Sequence, residues 1–115
     1  MNETELTKRT KMFAHRCVKL AVSLSKSQLS RYISGQLIRS STTVAANYRT
    51  ACLDQSKPSF KSKISIVLEE ANESYFWLEF IIDEVIIPEN KIIILFKEAD
   101  ELVAVFYSIR KTLTK

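Results

Sequence analysis

Glycine occurs once and proline twice in 115 residues. An all-β domain of this length needs many more turn residues, so the scarcity excludes sandwiches and barrels and points to helices. With only Gly35 there is no glycine-rich loop to cradle a phosphate. The one histidine, His15, cannot supply the paired Glu-x-x-His motifs of a di-iron bundle. Cys17 and Cys52 have neither a CxxC nor a Cys/His metal spacing and read as two small buried thiols. No apolar run approaches the ~18 residues of a membrane span. The start, Met1-Asn2-Glu3-Thr4-Glu5, is polar and acidic and has no signal-peptide core, so we expect a cytoplasmic protein with no membrane contact.

What the chain has in abundance is apolar residues at helical spacing, 46% of the total. The length fits one domain, residues 1–115, with a core of its own. Four helices are predicted, over about 4–24, 28–53, 58–86 and 89–113. The first carries Leu6, Phe13, Cys17, Leu20, Ala21 and Leu24 on one face. On the second the stripe is Leu29, Ile33, Leu37, Ser41, Val44, Tyr48 and Ala51. The third aligns Phe60, Ile64, Val67, Ala71, Tyr75, Leu78, Ile82 and Val85. The fourth aligns Ile92, Leu95, Phe96, Ala99, Leu102, Val103, Phe106 and Leu113. Pro58 sits well in a first helical turn, and short connections make neighbours antiparallel. The expected fold is all-α, an up-down-up-down antiparallel four-helix bundle.

Some side chains fall on faces that a monomer core does not need. On the third helix Phe76, Phe80 and Ile87 point away from the stripe, with Ile66 and Trp77 on its flank. On the second, Gly35, Thr42, Ala46 and Leu53 form a line of mostly small residues opposite the core, where another helix can approach closely. Either the core is wide, or Gly35, Thr42, Ala46, Phe76 and Phe80 belong to an oligomer interface; we expect the interface.

Charge is divided unevenly. Residues 1–64 hold twelve Lys and Arg against three Asp and Glu, and residues 65–115 hold five against ten; the whole chain is +4. Lys8, Lys11, His15, Lys19 and Lys26 line the outer face of the first helix, and Arg49 lies off the core face of the second. This is either a solvated face or a surface for a polyanion. Lys8, Lys11, Lys19, Lys26 and Arg49 are the candidate phosphate contacts with RNA or DNA. Arg39 is expected to pair with Glu70 or Glu73 of the third helix. Ser40 and Asn47, with Gln36 and Thr43, form a polar flank suited to hydrogen bonds between helices. No catalytic residue, cofactor or metal is expected. The serines and threonines of 40–43 lack a base, and a hard-ion site built from carboxylates alone is a remote third reading.

The segment Arg39-Ser40-Ser41-Thr42-Thr43-Val44-Ala45-Ala46-Asn47-Tyr48-Arg49-Thr50-Ala51 resembles the pattern Arg-Ser-x-x-Ser-Val-x-Ala-Asn-Tyr-Arg-Glu-Ala of bacterial proteins encoded in 23S ribosomal RNA intervening sequences, also called the S23 ribosomal protein family. Thr43, Ala45 and Thr50 depart from its usual residues. Ser56-Lys57-Pro58-Ser59-Phe60, the segment Leu68 to Glu79 and Glu98-Ala99-Asp100-Glu101-Leu102 are similar to further family segments. The resemblance spans about residues 9–112. It implies a four-helix bundle assembled as a homopentameric ring. It also implies likeness to the accessory variability protein of diversity-generating retroelements, which associates with a reverse transcriptase and nucleic acid. The function expected is therefore non-enzymatic nucleic-acid binding by a homo-oligomer. The alternative is a scaffold that docks a partner such as a polymerase or reverse transcriptase without touching nucleic acid itself.

Overall fold

A computed structural model describes residues 1–114, which form four α-helices and no strand among the described residues. Helix α1 is Glu3–Ser23, α2 is Gln28–Ala51, α3 is Lys57–Asp83 and α4 is Ile93–Thr114. Three helices start on side-chain caps. The Asn2 side-chain oxygen accepts from the Glu5 N–H at 2.8 Å, Ser27 Oγ from the Ser30 N–H at 3.1 Å and Ser56 Oγ from the Ser59 N–H at 3.2 Å. Each satisfies an otherwise unpaired first-turn donor.

Helix order follows from cross-helix contacts. Asp54 meets Lys63, Arg39 meets Glu70 and Tyr32 meets Trp77, so numbers fall along α2 as they rise along α3 and the two are antiparallel. α2 packs between α1 and α3, while α4 rests mainly on α3 and touches α1 lightly. The molecule measures 45 × 21 × 19 Å, an elongated bundle. Its core is built from the predicted stripes. Phe13, Cys17, Ile33, Leu37, Val44, Ile64, Leu78, Leu102 and Phe106 are all fully or almost fully buried. Among the described residues, no helix is long and apolar enough to cross a membrane.

The predicted ends need correction. The second helix stops at Ala51, and Cys52 and Leu53 form a closing turn. The third stops at Asp83 and not at 86. Val85 adopts a left-handed φ of 52°, its N–H donates to the Ile82 carbonyl, and the Ile86 N–H donates back to the Ile81 carbonyl. That pair of bonds is a Schellman closure, which usually employs glycine at the left-handed position. Here Val85 fills it, so the sequence carries no stop signal. The fourth helix begins at Ile93, because Glu89–Lys91 is a separate 3-10 turn. Two stripe positions also move outward: Leu29 is 43% exposed and Val85 77% exposed, while Ile81 takes the buried place expected of Ile82.

Candidate nucleic-acid interface

Helices α1 and α2 lie side by side and leave a groove along their solvent side. At one end it measures about 770 Å³. Ala14, Val18, Ala45 and Ala46 give it a floor of small apolar side chains. Lys8, Lys11 and His15 from α1 and Arg49 from α2 stand around that floor. A smaller hollow of about 290 Å³ continues the same seam towards the α1–α2 turn, past Gly35, with Lys26 and Arg31 beside it. Three of the five candidate phosphate contacts, Lys8, Lys11 and Arg49, thus share one groove and Lys26 lies further along the seam. Lys19 turns the other way, into an α1–α4 groove of about 540 Å³ with Arg16 and Lys91.

These cations have no carboxylate partner among the described residues, a property they share with Arg16, Arg31, Lys91 and most other cations of the chain. The ion pairs use Arg9, Arg39 and Lys63 instead. Arg9 grips Glu98 with two bonds, Nε to Oε2 at 2.8 Å and a terminal nitrogen to Oε1 at 2.7 Å, and so ties α1 to α4. That fork raises the pKa of the Arg9 guanidinium, chiefly through the Glu98 hydrogen bond. Arg39 donates to Glu70 at 2.8 Å and also to Glu73, and bonding to both holds its pKa high. Lys63 Nζ reaches Asp54 Oδ1 at 2.6 Å, and the second oxygen of Asp54 is buried without a partner. An unpaired cationic face retains its full field for an approaching anion.

The proposed polar flank divides. Ser40 Oγ accepts from Ser74 Oγ at 2.9 Å across the α2–α3 contact, so this one bond links the helices. Asn47 Nδ2 donates only within its own helix, to the Thr43 carbonyl at 3.2 Å, and Thr43 Oγ1 donates to the Arg39 carbonyl. The reading of the sequence missed Ser74, whose neighbours on the core stripe are all apolar.

The candidate interface residues occupy two places. Gly35, Thr42 and Ala46 are exposed along the α1–α2 seam, and a side chain added at Gly35 meets nothing within 4 Å. Thr42 and Ala46 line the same groove as Lys11 and Arg49, so residues assigned from sequence to two surfaces share one. Phe76 and Phe80 lie on α3, in an aromatic cluster with Trp77 and with Tyr32 of α2. Phe80 and Trp77 pack against the core, whereas Phe76 is 48% exposed. The Trp77 indole nitrogen is buried without a hydrogen-bond partner.

His15 is exposed on the groove rim, with no carboxylate or second histidine to make it a ligand; no metal-binding group of three or more His, Cys, Asp or Glu exists among the described residues. Cys17 is buried and free, and Cys52 half-buried and free. Arg16, Arg31 and Lys91 join the basic surface although sequence reasoning gave them no role. Lys91 comes from the turn before α4, so only the α1–α4 packing reveals it.

Comparison with known proteins agrees with this architecture. The family model described as 23S rRNA-intervening sequence protein matches residues 2–108. A crystal structure of a protein of unknown function from the S23 ribosomal protein family of Bacteroides thetaiotaomicron VPI-5482 is 33% identical, with a TM-score of 0.83 over 91% of this chain and 97% of that one. No curated protein matches. The groove, the Arg39 cluster and the Glu98 tie are thus features of a chain that belongs to the 23S rRNA-intervening sequence protein family.

Proposed function

We propose that the protein is a non-enzymatic homo-oligomer, a homopentameric ring by family resemblance, that binds RNA or DNA through backbone phosphates. The observation that carries this reading is the gathering of unpaired cations in the grooves along α1. Arg9, Arg39 and Lys63 are paired, whereas Lys8, Lys11, Lys19, Lys26 and Arg49 have no carboxylate partner among the described residues and stand along α1 and its seam with α2. Lysines arrayed on a helix touch phosphates without reading bases, so binding is sequence-tolerant. Repetition of the face around an oligomer adds avidity. The cell compartment that such ligands imply is the cytoplasm.

The test is fluorescence anisotropy of a labelled short RNA duplex at about 50 mM and about 300 mM salt. Wild type is expected to bind at the lower salt and release at the higher. A variant with Lys8, Lys11, Lys19, Lys26 and Arg49 all changed to Glu is expected not to bind. Equal binding by that variant overturns the reading. Absence of binding by wild type moves the role to the scaffold alternative, for which a polymerase or reverse transcriptase recovered by pull-down is the expected partner. The exposed Phe76 with its aromatic neighbours favours that second reading.

A further inference from the structure

We infer that the α1–α2 seam receives the outer face of α3 from a second copy of this chain, so that subunits join head to tail. The inference rests on the homo-oligomer reading and names the surfaces that meet. The seam has a floor of small residues and a cationic edge at both ends, Lys11 and Arg49 at the wide end and Lys26 and Arg31 at the narrow one. At Gly35 its backbone is open to close approach. Such a groove suits an amphipathic helix whose apolar side chains stand among acidic ones.

Helix α3 has that face to spare. At about 100° per residue, Ile66, Glu69, Phe76, Phe80 and Asp83 fall in one arc opposite Ile64, Val67, Ala71 and Leu78, which are buried. Ile66 is 41% exposed and Phe76 48% exposed, large areas for a surface helix to leave wet. The dimensions agree: Ile66 to Asp83 spans about 26 Å at 1.5 Å per residue, and Arg31 to Arg49 about 27 Å. Pairing of two α3 faces would bring Glu69 and Asp83 of one copy among the acids of the other. The basic seam neutralises them instead. A phosphate backbone also complements the cations, but it has no apolar groups to cover Ala14, Val18, Ala45 and Ala46.

Because seam and ridge are different surfaces, each copy offers one of each, and the contact propagates until rotation closes it into a ring. The assembled seam is then occupied, which takes Lys8, Lys11, Lys26 and Arg49 for the subunit contact and leaves Lys19 of the five candidate phosphate contacts. Arg16, Lys19 and Lys91 in the α1–α4 groove remain open to phosphates.

Two charge-reversed variants test this, Arg31→Glu with Arg49→Glu at the two ends of the seam, and Glu69→Lys with Asp83→Lys on the ridge. All four positions are exposed. Light-scattering mass is expected to fall towards that of the monomer for each variant alone, with helicity by circular dichroism unchanged. Combining all four substitutions in one chain is expected to restore the large species, because every reversed ridge then meets a reversed seam whatever the number of subunits. The exposed Phe76→Asp replaces any reversed variant that loses helicity, and is likewise expected to lower the mass. A monomeric wild type, an unchanged mass in the variants, or no recovery in the combined variant overturns the inference. Loss of RNA binding by Arg31→Glu with Arg49→Glu at unchanged mass assigns the seam to nucleic acid and also overturns it. Wild type that assembles and binds no RNA, with assembly lost in each variant and recovered in the combined one, supports the docking while bringing down the nucleic-acid reading alone.

Discussion

Cys17 shows how one buried atom couples to solution conditions. Burial pushes its thiol from the usual 9.0 up to about 12, offset in part by a hydrogen bond with Ser41. The folded state therefore keeps a proton that the unfolded chain releases above 9.0. Stability from this group is fully present below pH 9.0 and is lost as pH rises towards about 12. Replacing Cys17 with Ala removes the titration, so the alkaline slope of unfolding free energy should flatten by up to about 1.4 kcal/mol per pH unit relative to wild type. Urea unfolding at a series of pH values between 8 and 11 reads this slope; equal slopes count against it. Tyr48, whose hydroxyl burial also pushes up, titrates in both proteins and cancels from the difference. At this scale the sequence was partly legible. Cys17 and Arg39 could be placed because each occupies a definite position on a helical face. Arg9 could not be paired with Glu98, since the partners are remote in sequence and meet only through the α1–α4 contact.

Helix interiors were legible because the apolar period is strong in all four. Ends were legible where a chemical signal exists: Ser27, Ser56 and Pro58 mark the starts of α2 and α3. The end of α3 has no such signal, since a β-branched residue in the left-handed region costs roughly 1–2 kcal/mol and is not what a pattern reading anticipates. Val85 holds that conformation because the bonds to Ile81 and Ile82 and the apolar run after it fix the chain there. Glycine adopts the same φ without the steric penalty. Val85→Gly should thus stabilise the protein, by about 1 kcal/mol after the greater entropy lost by glycine is allowed for. The exposed Val85 side chain forfeits little packing when removed. A higher urea midpoint at unchanged slope is the expected result; a lower midpoint means the valine side chain contributes more than its backbone costs.

At the scale of the whole molecule the division of charge decides how the two proposed contacts respond to salt. A polyanion held by lysines releases condensed counterions, so its affinity falls as a power of salt concentration; six phosphate contacts lose roughly a thousandfold between about 50 and 200 mM. The seam contact combines charge with burial of Ile66 and Phe76 against alanines, and apolar burial is not screened. RNA release and subunit dissociation should therefore separate. Titrating salt while following anisotropy of labelled RNA and scattering mass in the same sample should show RNA leaving first, with the oligomer persisting to several times that concentration. Coincident loss of both signals would mean that charge alone holds the subunits and that the apolar ridge of α3 is not covered in the assembly. The comparison needs no variant, so a folding defect cannot imitate either result.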